Sequence, residues 1–239
     1  MGTQQQTFQS LSQELLLSVA EELKLPLLQI ARLAEQAKLA NSNDANLLIE
    51  STADSALKLI DSYILGVRLS LNPLDFCVEN VSVSSVLYDT KQELTSYAKN
   101  YGVDLELNIA GKYGPVSANK KGLESALVSL GAALIQALPA MGTCQLKLQL
   151  ATHRSRYGIV AGVYADTKEI SLNALNAGRK LAGVSRQPLL NLSHSSGAGV
   201  FVADSILKAM NLNLTVSRHD KWYGIATILP PSRQIQLVT

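Results

Sequence analysis

Two helix-length stretches near the start of the chain constrain its fold most, because neither can bury its apolar stripe against the other alone. Ser18 to Leu33 reads SVAEELKLPLLQIARL, and Val19, Leu23, Leu27, Ile30 and Leu33 recur at steps of three and four. The spacing predicts a helix from about Phe8 to about Leu39, interrupted by Pro26. A proline inside a helix removes one backbone hydrogen bond and crowds the carbonyl four residues earlier, at roughly 3 kcal/mol. Asn41-Ser42-Asn43-Asp44 is a turn whose end can cap a second helix, from about Ala45 to Leu69. There Ile49, Ala53, Ala56, Ile60, Tyr63 and Val67 follow a spacing close to the 3.5-residue period of coiled-coil packing. A single antiparallel hairpin leaves one face of each helix uncovered. Pairing two hairpins about a two-fold axis solves this, so a homodimeric four-helix bundle through residues 8–70 is expected.

Leu71-Asn72-Pro73 breaks the pattern and divides the chain into residues 1–70 and 71–239. Beyond it the periods alternate. Phe76 to Val83 is expected as a strand, Ser84-Ser85 as the cap of a helix over Val86 to Tyr101, and Gly102 as its stop. Val103 to Ile109 alternates as a half-exposed strand, and a short strand at Pro115–Ala118 leads into an apolar helix from Lys120 to Leu138. Cys144 to Thr152 and Tyr157 to Ala165 are expected as a hairpin with a basic turn around Arg154. Asp166 to His194 shows no clear period, Ser195 to Met210 returns to helix, and Leu212–Ser217 and Trp222–Leu229 close the chain as strands. Trp222 and Tyr223 are expected as core or edge packing. The class is α+β, with helices on one face of a sheet.

Composition narrows the function classes. Hydrophobic residues make up 47% and charged residues 17% of the 239, enough to fill a core. The formal net charge of +2 is spread without a Lys/Arg run, so no nucleic-acid partner is expected. Cys77 and Cys144 have no metal-ligand spacing, which suggests reduced thiols, a cytoplasmic location and no bound metal. The most apolar run, Leu123 to Met141, is punctuated by Glu124 and Gln136 and reads as a buried helix rather than a membrane span.

In the kinked helix, Glu21-Glu22-Leu23-Lys24-Leu25-Pro26-Leu27 resembles the His-Glu-Leu-Arg-Thr-Pro-Leu pattern of two-component histidine kinases. The order of elements is similar to the histidine-kinase core, a dimerising hairpin followed by an ATP-binding α/β sandwich of the type shared with gyrase and heat-shock chaperones. The phospho-acceptor position is taken by Glu21, and a carboxylate cannot form the phosphoramidate that an imidazole forms. His153, His194 and His219 all lie far downstream.

The resemblance implies similar erosion around the nucleotide. Asn119 stands where the family has an Asp, Ser129 where it has its first asparagine, and Ala133 where it has the metal-binding one. Mg²⁺ requires oxygen ligands, and a methyl group supplies none. Asp166-Thr167-Lys168-Glu169-Ile170 keeps the aspartate of the family's Asp-x-Gly-x-Gly loop without its glycines; a strand-end turn residue is the other reading of Asp166. Ser195-Ser196-Gly197-Ala198-Gly199-Val200 is similar to the second glycine box. There a helix N-terminus meets phosphate, but glycine can equally serve close packing against the sheet.

The expectation is therefore a histidine-kinase-like dimer without enzymatic activity. It would bind a response-regulator receiver domain or another signalling protein through Glu21, Glu22, Lys24, Pro26 and Gln29. No cofactor is expected, with weak ATP or ADP binding through Asp166, Gly197 and Gly199 left open. The alternative is a nucleotide-binding protein or ATP-dependent kinase with unusual site residues.

Overall fold

The computed structural model describes residues 27–28, 30–35, 49, 53, 57, 60, 61, 64, 77–109, 111–141, 146–168, 170–179 and 198–232. Residues 27–28 and 30–35 are helical, as are the six described positions between 49 and 64. From residue 79 the order is β1 (Glu79–Val81), α1 (Val83–Asn100), β2 (Asp104–Ile109), β3 (Val116–Ala118), α2 (Lys120–Ala137), β4 (Lys147–Ser155) and β5 (Gly158–Ala165). Then follow α3 (Leu172–Arg179), α4 (Ala198–Ala209), β6 (Leu214–His219) and β7 (Trp222–Leu229).

Five strands form one sheet in the order β2-β4-β5-β7-β6. The pairs β4–β5, β5–β7 and β6–β7 are antiparallel, but β2 runs parallel to β4, with Leu105 opposite Leu148. A parallel neighbour requires a crossover, and α2 makes it. β1 and β3 pair apart from this sheet, and Ser117 N donates to Pro230 O at 3.2 Å, tying them to the end of β7.

Alternation along the strands sorts the residues into two faces. Leu148 and Leu150 of β4, Ile159, Ala161 and Val163 of β5, and Ile225 and Leu229 of β7 meet the helices in one core. Helix α2 is the centre of that core, with fourteen of its eighteen residues buried. Its near-continuous apolar run has a simple cause: α1, α4 and the sheet all pack against it. Each large aliphatic side chain buried there stabilises the fold by about 1.5–3 kcal/mol.

Several boundaries depart from expectation for local reasons. The cap of α1 is Ser82, whose hydroxyl accepts from Ser85 N at 3.4 Å, so β1 is shorter and the helix starts earlier than the Ser84-Ser85 pair suggested. Gly102 does end α1, at φ +66°; Gly102 N donates to Lys99 O and Val103 N to Ala98 O. Arg154 is a strand residue opposite Ile159, and the turn falls at Arg156 and Tyr157. Leu172 to Arg179 is helical where no period was visible, anchored by the buried Leu175. No helix among the described residues is long and apolar enough to cross a membrane.

Candidate functional site

Asn119 ends the β3–α2 connection in extended conformation and caps α2. Its side-chain oxygen accepts from Gly122 N at 2.8 Å while its amide donates to Cys77 O at 3.2 Å. One residue later, Lys120 Nζ lies 3.0 Å from Asp89 on α1, and the carboxylate holds the ammonium's pKa above its ordinary value. The first turn of α2 is thus tied both to α1 and to the segment before β1.

Two turns further on, Ser129 is fully buried and Ala133 is 4% exposed. Helix α4 lies directly upon them. A β-carbon on Gly199 would meet Ser129 O at 2.5 Å and the Ala133 methyl at 2.9 Å. Gly199 therefore serves close packing, as one of the two sequence readings had it, but against α2 rather than against the sheet. The Ser129 hydroxyl has no hydrogen-bond partner among the described residues.

Positions 129 and 133 are where the resemblance would put the two asparagines. A divalent cation with octahedral oxygen ligands does not fit there: one position offers a buried methyl under α4, and the other a single, fully buried hydroxyl. No cluster of three or more His, Cys, Asp or Glu suited to a metal occurs among the described residues.

Asp166 follows directly on β5 and is exposed, whereas Ile170, at the place of a family glycine, is buried. An isoleucine there contributes to the core, and its Cβ closes the backbone approach that a glycine would leave open. Gly197 and the docking candidates Glu21, Glu22, Lys24, Pro26 and Gln29 lie outside the described residues. Leu27, Leu28, Leu57 and Ile64 are exposed apolar residues in helical conformation.

The sequence reading missed a second cluster, on the sheet face away from the helices. Ala151, Val160, Tyr164, Trp222 and Ala226 pack there as a small separate core. Trp222 and Tyr223, expected as core or edge packing, pack on core clusters and divide between the faces: Trp222 in this cluster and Tyr223 against the helix-side core. The Tyr164 ring crosses its strand partner Gly224, where a β-carbon would lie 2.5 Å from Tyr164 Cδ1. Beside Tyr164 stand His153 and His219, their rings near-parallel at 14° with centroids 5.0 Å apart. Alternation along β4 and β6 put both histidines on the outer face, but nothing in the sequence brings the two together.

A five-stranded mixed sheet with α1, α2 and α4 on one face, preceded by helical residues, is the fold of a histidine-kinase core. No protein-family profile and no curated protein matches the sequence. Solved structures do. The chain is similar to the histidine kinase AdeS of Acinetobacter baumannii, with TM-score 0.52 and 14% identity over 90% of this chain and 98% of that one. It is similar to a bacterial phosphotransferase, with TM-score 0.51 and 12% identity over 91% of this chain and 95% of the other. It is also similar to full-length ShkA in complex with AMPPNP, with TM-score 0.54 and 12% identity, over 94% of this chain but 46% of ShkA. At such identities the likeness establishes the fold and leaves the chemistry to the residues.

Proposed function

We propose that this chain is a histidine-kinase-like signalling dimer that keeps the scaffold without phosphoryl transfer. In this reading it binds a receiver domain or another signalling protein through the hairpin around Glu21. The observation that carries it is the packing of Gly199 onto Ser129 and Ala133, which occupies with helix contacts the place where a metal and phosphates would need oxygen ligands and space. The absence of histidine from the first 152 residues supports the same reading, since neither hairpin helix then offers an acceptor. Exposed Leu27, Leu28, Leu57 and Ile64 favour dimerisation through residues 8–70, because apolar side chains on one hairpin gain most by meeting another copy. Glu21, Glu22, Lys24, Pro26 and Gln29 form the proposed docking surface, and residues 1–70 and 71–239 the two domains.

Calorimetric titration with ATP and ADP, with and without Mg²⁺, tests the loss of catalysis, and a binding assay with candidate receiver domains tests the docking. No Mg²⁺-dependent heat and a receiver complex weakened by Glu21→Lys are expected. Autophosphorylation, or receiver binding no stronger than to a scrambled-helix variant, overturns the reading. A second reading, nucleotide binding without catalysis, rests on the exposed carboxylate of Asp166 at the end of β5. Micromolar ATP binding abolished by Asp166→Ala would establish it.

A further inference from the structure

The outer face of the sheet holds a cluster that the signalling reading does not use. β6 and β5 are separated by β7, yet the sheet coils so strongly that their Cα atoms come within 8 Å. This coiling brings His153, near the end of β4, against His219, at the end of β6, although three strand pairings separate them. Both imidazoles also lie against the fully buried Tyr164, at centroid distances of 6.3 and 5.6 Å. Tyr164 itself donates to Ser217 Oγ at 3.4 Å.

Two ring nitrogens in this cluster, His153 Nδ1 and His219 Nε2, are buried without a hydrogen-bond partner among the described residues. For His153 the neutral imidazole suits this setting better than the charged one, because a cation there loses hydration. The ionisable groups facing the pair are few. β5 brings the Tyr164 phenol, and β7 (WYGIATIL) has no charged residue. The β6–β7 turn brings Asp220, exposed, with Oδ2 3.9 Å from His219 Nε2. Desolvation first, and His219 second, hold the His153 pKa below its ordinary value, while Asp220 acts weakly the other way.

We propose that the His153–His219 stack is an acid-sensitive latch, in which uptake of a proton separates the two rings and frees the β6–β7 corner, uncovering Trp222 and the outer face of the sheet. Trp222 turns around the end of β6 as the strand partner of His219 and packs in the same small core. The inference is independent of the signalling reading, since it uses no residue of the hairpin or of the α2–α4 contact.

Trp222 is the only tryptophan, so acrylamide quenching of the whole chain reports this corner alone. Quenching should rise at least about twofold as pH falls from about 8 to about 5, while far-UV dichroism holds. The double variant His153→Phe/His219→Phe should keep the aromatic packing and lose the pH dependence. Asp220→Asn, a surface change at a position with φ +53° that asparagine tolerates, should move the transition to lower pH. Flat quenching in the parent chain, a rise that coincides with loss of far-UV signal, or an unchanged transition in Asp220→Asn would each overturn the latch. So would an equal rise in a folded double variant.

Discussion

Gly199 lies so close to Ser129 that a β-carbon on the glycine would stand 2.5 Å from the serine's carbonyl oxygen. The same β-carbon would press on the Ala133 methyl at 2.9 Å. One contact thus joins the start of α4 to the two positions on α2 that the kinase resemblance makes most informative. Small residues on both sides let the helix backbones approach, which an asparagine at 133 would prevent.

Replacing Gly199 by Ala separates a packing glycine from one held open for a ligand. In an open helix start, alanine would stabilise by up to about 1 kcal/mol through helix propensity. Here overpacking against a carbonyl oxygen should dominate and destabilise by about 1–3 kcal/mol. Urea unfolding of Gly199→Ala checks the sign, and a rise in midpoint contradicts the packing account.

Restoring the kinase asparagines should not restore a kinase. Ser129→Asn with Ala133→Asn places two amides at buried positions now held by a hydroxyl and a methyl, the second of them against α4. Unsatisfied buried amides cost about 1–3 kcal/mol each, before any steric term. The double variant is expected to lose stability and to show no Mg²⁺-dependent ATP binding by calorimetry. Ser129→Ala, which removes an orphaned hydroxyl, is expected to be neutral or slightly stabilising.

Much of the fold was legible because its signals are local. Gly102 stops α1 through left-handed backbone, and the apolar run from Lys120 to Ala137 is a helix buried on most sides. The parallel pairing of β2 with β4 was not legible, since alternation along Val103–Ile109 fixes a face and not a neighbour. Among the described side chains, Leu175 and the preceding Ile170 mark the buried side of helix α3, too few positions to show a period. The sequence singled out Ser129, Ala133 and Gly199, but not the contact between them. That Gly199 touches both others depends on how α4 crosses α2, a tertiary fact. His153 and His219 meet only because the sheet coils.

Asn119 has a structural occupation at the position where the histidine-kinase resemblance would put an aspartate. Its side chain caps α2 and also donates to Cys77 O. Asn119→Ala should cost about 1 kcal/mol or somewhat more, from loss of the cap. Asn119→Asp keeps an acceptor for Gly122 N but loses the donor to Cys77 O, so its loss should be smaller. Thermal unfolding of the two variants ranks them, and an Asp variant less stable than the Ala variant would contradict this assignment.

Glu124 gives the chain a pH dependence of the same origin as that of the outer face, burial of an ionisable group, but of opposite sign. It sits one turn after Lys120 on α2, where partial burial raises its pKa above the ordinary carboxylate value, reinforced by Glu93 and Asp89. Lys120 and Lys121 oppose that rise and are the weaker influence. A folded-state pKa above the unfolded one means that the ionised carboxylate disfavours the fold. The penalty is fully present at neutral pH and is relieved as pH falls through the raised value, down to the unfolded value near 4.5. Glu124→Gln removes the charge while keeping the shape. It should raise the melting temperature at neutral pH by a small amount, because much of the side chain remains in water. The gain should shrink as pH is lowered, and the two melting curves should converge once the parent carboxyl is protonated. A gain independent of pH would assign the effect to packing, and a loss at neutral pH would show that the two lysines outweigh burial.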